Sequence, residues 1–410
     1  MPTPTPSSRG GRPLRLAALI LALPLAVTPA LAAAADPVAG KIILDMRLRS
    51  ETVSQDGLPR DAHAITLRTR LGYETAAWRG FKALVEAENI TVLDGSYNST
   101  TNGKVRYPVV ADPESTELNR AQVSWTAKQA DIVVGRQRIV LGNARFVGNV
   151  GFRQNEQTFD AVRIGLRPTK DFTVTYAYVD QVRRVFGHRS AQGEWDSDSH
   201  LINADFKTPA GVASGYSYLL DFGNAPTQSS ATWGGRFVGS RPIRAGLAVT
   251  YEAEVARQTD YRSNPADFEL GYLDLGVGLK WPAHWVSAGF ERLDGNGRRG
   301  FQTPLATLHA YQGWADVFLS TPAAGLRDLN LRAGTTVKIG PKSRPLKLQA
   351  AVHDFTDDDG SMRFGREFDL LAGLPLTKSL SAEVKAAIFD GARPGFSDRS
   401  KIWLTLEARY

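Results

Sequence analysis

Short segments in which apolar and charged side chains alternate recur from Lys41 to the last residue, and no other feature restricts the fold so strongly. Side chains on a strand point to opposite faces with a period of two. In the last ten residues, Ile402, Leu404, Leu406, Ala408 and Tyr410 fall on one face. Lys401, Trp403, Thr405, Glu407 and Arg409 fall on the other. KIILDMRLRSE (41–51) sets Ile42, Leu44, Met46 and Leu48 against Asp45, Arg47, Arg49 and Glu51. The same alternation appears in 64–74, 81–90, 172–180, 247–255, 272–281, 346–355 and 380–389. Each segment has roughly 9–11 residues, the length a tilted strand needs to cross hydrocarbon. In a soluble protein the apolar face would meet a core; in a membrane barrel it meets lipid, and the polar face lines the lumen.

Residues 1–35 read as a cleaved signal peptide. Arg9, Arg12 and Arg15 form a basic start, Leu16 to Val27 a short apolar run broken by Pro24, and small residues near Ala32 to Ala35 suit cleavage. That apolar run is shorter than the roughly 20 residues a helical span needs. Residues 36–410 are then one barrel domain. Losing three arginines and no acid lowers the formal charge from +7 to +4, too weak a bias for a nucleic-acid partner. There is no cysteine, so disulfides and thiolate metal sites are excluded. The chain is 42% hydrophobic, yet its mean hydropathy is −0.24. Helical membrane proteins are far more apolar, whereas a barrel turns half of each strand toward water.

The connections sort into two classes. Short ones (TAAW, KQA, RPTKD, KTPAG, SRPIR, PA, IGPKSRP, PLTK) alternate with longer polar ones at 93–117, 140–157, 181–199, 258–269, 356–363 and 390–400. Short turns on one side and long loops on the other belong to outer-membrane barrels, whose strand number is even. HAYQGWADVFL alternates poorly, and counting it as a strand gives nineteen. Reading 294–326 as one outer loop, with Ala306 to Pro322 inside it, restores the alternation and gives eighteen; sixteen is the competing count. Loops this long are often functional. This one either folds inward as a constriction or lies over the rim. The last strand must close on the first, because an open edge cannot exist in lipid. Tyr410 then sits in the interfacial aromatic girdle, as a terminal signal for the outer-membrane assembly machinery. The fold class expected is an all-β, transmembrane antiparallel up-and-down β-barrel of about 18 strands in the bacterial outer membrane.

Three stretches resemble the alginate-export family of outer-membrane barrels: GRQRIVLGNARFVGNVGFRQNEQTFDAVRIG (135–165), HAYQGWADVFLSTPAAGLRDL (309–329) and HDFTDDDG with FGREFDL (353–370). The resemblance implies a monomeric, porin-like barrel with an arginine-bearing conduit for an anionic polyuronate. Passage needs a constriction whose charges favour the solute without holding it. The basic candidates are Arg47, Arg49, Arg68, Arg70, Arg120, Arg136, Arg138, Arg153, Arg163 and Arg332. Their planar forks suit carboxylates. Acidic counterparts assigned to the lumen are Asp45, Glu74, Glu86, Glu88, Asp160, Glu252, Glu254, Glu291, Glu367 and Asp369. Cross-strand pairing that merely stiffens the wall is the competing role for any single arginine. Gly135 marks a candidate bulge beside Arg136 and Arg138.

The expected function is passive passage of hydrophilic, anionic solutes, including an acidic exopolysaccharide such as alginate. A non-selective diffusion porin and a non-conducting anchor are the alternatives. Expected partners are outer-membrane lipid, lipopolysaccharide and the anionic sugar or small solute. No cofactor is expected. His63, His188, His200, His284, His309 and His353 form no recognisable catalytic motif, and no nucleophile elbow or Gly-rich phosphate loop occurs, so an enzyme is not expected. The acidic stretch HDFTDDDG (353–360) lacks the spacing of an EF-hand loop and reads as a solvated outer loop rather than a metal site.

Overall fold

The computed structural model describes residues 40–410. The signal-peptide assignment lies outside the described residues. Eighteen strands run in chain order: β1 (Lys41–Gln55), β2 (Ala62–Glu74), β3 (Phe81–Ser96), β4 (Ser115–Thr126), β5 (Ala130–Gln137), β6 (Thr158–Leu166), β7 (Phe172–Arg183), β8 (Glu194–Thr208) and β9 (Gly211–Leu220). They continue as β10 (Ser230–Arg244), β11 (Leu247–Thr259), β12 (Glu269–Lys280), β13 (His284–Leu293), β14 (Leu326–Ile339), β15 (Arg344–Thr356), β16 (Arg363–Pro375), β17 (Leu380–Gly391) and β18 (Arg399–Arg409). Each pairs antiparallel with its sequence neighbours.

β18 closes on β1, with Arg47 opposite Glu407 and Leu48 opposite Leu406. Past the last strand, the Tyr410 N–H donates to the Leu44 carbonyl at 2.8 Å. Closure leaves no strand edge open, the condition for crossing hydrocarbon. The side chains obey the alternation. Ile402, Leu404 and Leu406 stand exposed outward, while Lys401 and Trp403 are buried inside. Tyr410 is 70% exposed at the short-turn end, where an interfacial girdle belongs.

At one end the connections have two to six residues. At the other they include 97–114, 138–157 and the longest, 294–325. The long loop expected around Ala306 to Pro322 contains no strand, so the count is eighteen. Three boundaries differ from expectation. SRPIR lies within β10, and its turn is the pair 245–246. β8 starts at Glu194, because Trp195, Ser197 and Ser199 already alternate inward. The outer connection 221–229 carries no strong length signal and was not anticipated.

Two loops do not stay at the rim. Phe146 of 138–157 packs on Tyr216 and Tyr272 of the wall, with ring centroids 5.1 and 5.3 Å away. Phe318 of 294–325 packs on Phe355 at 4.6 Å and on Phe389 at 5.9 Å. These inward aromatics interrupt an otherwise polar lumen, and burying them against the loops gives the barrel an interior core.

Candidate permeation constriction

The loops 138–157 and 294–325 join each other inside the barrel. Gly148 donates its N–H to the Leu305 carbonyl at 2.9 Å, and Thr307 donates to the Ala144 carbonyl at 3.0 Å. The Gln157 amide reaches the Leu305 carbonyl at 3.0 Å. Each loop then ties to the wall. Arg47 and Arg49 donate to backbone carbonyls at Gly151 and Phe152 (3.0 and 2.6 Å). Arg145 pairs with Glu291 at 2.5 Å, and Arg399 donates to the Ala315 and Asp316 carbonyls. At Gly313, φ is +78°, and an added Cβ would lie 2.4 Å from the Glu367 carboxyl. Only glycine allows that approach, and it lets the Ala315 N–H donate to Glu367 at 2.6 Å.

Asp316 is the charged centre of the partition. Its carboxylate meets Arg153 of the other loop at 2.9 Å and Lys401 of β18 at 2.8 Å. It also accepts from His309 Nδ1 at 2.7 Å, while His309 Nε2 accepts from Lys385 of β17 at 2.6 Å. The contacts assign a neutral imidazole with its proton on Nδ1. Burial would raise the Asp316 pKa, but its cationic neighbours hold it well below the usual carboxylate range. Burial in turn keeps His309 well below the ordinary histidine value. Glu156 follows the same logic: burial opposes ionisation, but Arg70 and Arg138 bring its pKa down to about 2.

Most of the arginines singled out from sequence face the lumen and meet carboxylates. Arg47 pairs with Glu407 at 2.8 Å, Arg68 with Asp45 and Glu407, Arg70 with Glu88 at 2.5 Å, and Arg120 with Glu86 at 2.7 Å. Arg163 pairs with Asp131 at 2.7 Å near the short-turn end. Glu252 meets Arg236, and Glu254 accepts from the Tyr216 hydroxyl. Glu367 and Asp369 are buried inward on β16. Arg138 and Arg153 belong to the inward loop 138–157, not to a strand. Arg49 and Arg332 face the lumen without a carboxylate partner among the described residues; Arg49 is held by Phe152 O and Thr405.

Arg136 and Asp160 correct the expectation. They lie opposite each other in register and pair at 2.7 Å, but on the outer face. Arg136 is also opposite Ala121, in the same row as the outward Val123–Val134 pair. The register runs unbroken through Gly135, where φ is +112° and a Cβ would come 2.3 Å from the Ala121 carbonyl. No bulge therefore turns Arg136 inward. The pair sits at the long-loop end of β5 and β6, where an outward ion pair meets water rather than lipid.

Sequence reasoning missed Lys385, Lys401, Arg145, Arg399, His309 and Asp316 as partners. The length of 294–325 was the available signal for the last two. The acidic stretch 353–360 is partly β15, and Asp358 accepts from the Gly295 N–H, fastening the base of the long loop. Among the described residues, no group of three or more His, Cys, Asp or Glu is placed to hold a metal ion.

Cavities flank the partition. One of about 280 Å³ is lined by Arg153, Asp316, Arg399 and Lys401; another of about 340 Å³ by Arg332, Lys385, Trp285 and Trp314. His309 lines both.

No family model matches the chain, and no curated protein matches it. Solved structures do. Acinetobacter baumannii OccAB4 is similar with a TM-score of 0.70 and 11% identity, covering 91% of this chain and 98% of its own. Pseudomonas aeruginosa OpdL matches with a TM-score of 0.68 and 15% identity, covering 90% and 98%. The outer membrane protein OprD from Pseudomonas aeruginosa matches with a TM-score of 0.68 and 15% identity, covering 92% and 95%. At these identities the likeness is one of fold: a porin-like, closed barrel of the bacterial outer membrane. The narrower likeness to alginate-export barrels finds no support in these comparisons.

Proposed function

We propose that this chain is a passive outer-membrane channel for small hydrophilic solutes, biased toward anions. The observation that carries the reading is the partition made by 138–157 and 294–325, which are joined to each other by backbone hydrogen bonds and the Arg153–Asp316 pair, and to the wall at β13 and β18 by the Arg145–Glu291 and Asp316–Lys401 pairs. A narrow, charge-lined constriction is what selective passage requires. The anion bias is supported by Arg49, Arg332, Lys385 and Arg399, wall cations that make no ion pair among the described residues. Cavities of about 280 and 340 Å³ suit a small solute. The loops tied across the lumen leave little room for a polymer, so an acidic exopolysaccharide such as alginate is not the favoured cargo.

The test is the reversal potential of the refolded protein in a planar bilayer under a salt gradient. A potential displaced toward that of the anion supports the reading. An unselective current means a general diffusion porin. No current at all overturns the channel and brings the anchor and enzyme readings forward.

A further inference from the structure

Four arginines stand on the outer face of β13, β14 and β16 at the long-loop end. Glu291 and Asp328 are buried inward, so the adjacent Arg292 and Arg327 face outward, directly opposite each other in register. Like charges so placed repel. Arg292 pairs with Asp294 at 3.0 Å. Arg327 makes no ion pair among the described residues, and its Nε donates to the Thr356 hydroxyl at 3.2 Å. On β16, Arg363 and Arg366 are exposed beside the inward Phe364 and Glu367. They share one carboxylate, Asp354 of β15, at 2.8 and 3.8 Å. Asp390 of β17 lies opposite Arg366 in register without forming an ion pair. The neighbouring loop acids are turned elsewhere: Asp358 accepts from the Gly295 N–H at 2.7 Å, and Asp359 from the Ser361 N–H at 2.8 Å. Across the ring, the outer face of β5 to β8 has the reverse balance, with Asp160, Glu194, Asp196 and Asp198 against Arg136 and Arg183.

Below the arginines the same wall is apolar, with Leu329, Leu331, Val352 and Phe368 exposed toward lipid. Deeper still, the outward side chains become small. Ala333, Thr335, Ala350, Ala372 and Ala386 leave a groove of about 710 Å³ in the lipid-facing wall of β13 to β17. The groove begins at Leu370, on the same strand as Arg366, and at Ala333, on the same strand as Arg327. At about 3.4 Å per residue and a tilt of about 40°, those steps descend roughly 10–16 Å, to the middle of a hydrocarbon core about 30 Å thick. We propose that this arc is a docking site for one lipopolysaccharide molecule, with a lipid A phosphate among the arginines and an acyl chain in the groove. The long-loop end faces the outer leaflet, where that lipid resides. Guanidinium forks bind phosphate oxygens bidentately, and a phosphate between Arg292 and Arg327 turns their repulsion into attraction. The groove on the same strands is what favours a lipid over free phosphate. The proposal depends on the barrel and its membrane, not on conduction.

The test is native mass spectrometry of the refolded full-length protein in detergent, with bisphosphorylated lipid A, the same lipid stripped of its phosphates, and inorganic phosphate. One bisphosphorylated lipid A should stay bound at concentrations where the stripped lipid does not. Arg292→Gln combined with Arg327→Gln should weaken that retention by roughly tenfold or more, through the loss of charge-assisted contacts. Arg327→Lys, which keeps the charge but not the fork, should retain part of it. Ala350→Trp fills the groove and should weaken retention with every arginine intact. Arg136→Gln, on the acidic arc, is the control and should change nothing. Heat-modifiable migration on gels reports whether each variant has folded. Equal retention of the two lipids, or retention that survives the double glutamine variant, overturns the site. Displacement of lipid A by inorganic phosphate at equal concentration, or indifference to Ala350→Trp, overturns the lipid as its occupant.

Discussion

Lys385 Nζ lies 2.6 Å from His309 Nε2, across the junction between the wall and the inward loop. The other ring nitrogen contacts Asp316 at 2.7 Å. Nε2 accepts only while the imidazole is neutral, so the loop is held by a group that a proton can convert from acceptor to rival cation.

Acid should therefore loosen the partition. His309 has its pKa lowered in the docked loop, with burial the first cause and the Lys385 charge a further one, against the attraction of Asp316. The undocked loop binds the extra proton and the docked one resists it. The docking contribution is thus complete above about pH 6.5 and declines as pH falls toward the lowered value. Asp316, also lowered, adds a second loss below about pH 4. Single-channel noise recorded from pH 7.5 downward should rise first near pH 6, and His309→Gln should abolish that first step. A flat profile in the unsubstituted protein would sink the idea.

Asp316→Asn should undock the loop more strongly than any rim substitution. It leaves Arg153 and Lys401 beside a neutral amide, with Glu51, at 3.1 and 3.7 Å, as the one carboxylate they still share. Removing one partner from a buried ion pair costs about 3–5 kcal/mol. Limited proteolysis should cut within 294–325 in the variant and spare that loop in the unsubstituted protein.

Phe318→Ala should act on the same loop without touching a charge. The ring is buried among Phe355, Phe364 and Phe389. Truncating a buried phenylalanine costs about 3–5 kcal/mol, here drawn from loop docking rather than from the wall. Current flicker should increase while the thermal melt of the sheet, followed by circular dichroism, stays close to that of the unsubstituted protein.

Arg136→Gln and Arg332→Gln should separate outer from inner charge. Arg136 is paired with Asp160 on the outer face, and Arg332 stands unpaired on the lumen wall. The first should leave the reversal potential unchanged. The second should shift it toward cation preference. A shift of equal size in both would contradict the assignment of faces.

Deleting Tyr410 tests the end of the chain. Its N–H completes the β18–β1 seam on Leu44, and its ring is exposed at the short-turn rim. The expected outcome is a lower yield of membrane-inserted protein in cells, with unchanged conductance in the molecules that do insert.

Strand number and side-chain facing were legible in the alternation because the two solvents of a barrel sort residues one by one. Leu404 and Lys401 reveal their faces without knowledge of any partner. Asp160 was misassigned because its charge outweighed its own parity with Val162 and Ile164. Above the lipid an outward charge costs little, so polarity stops reporting the face there. The even count and the one long loop followed from closure, which hydrocarbon imposes on every strand edge.

The partition belongs to the tertiary structure. Phe146 meets Tyr272, and Phe318 meets Phe355, only after the sheet has curved into a ring. Asp316 meets Arg153 from the other loop and Lys401 from the last strand, 163 and 85 residues away. No local period records such meetings. The sequence by itself determined a closed barrel between lipid and water, because alternation is a local response to two solvents. Whether the long loop lay over the rim or within the lumen was decided by contacts among residues that only closure brings together.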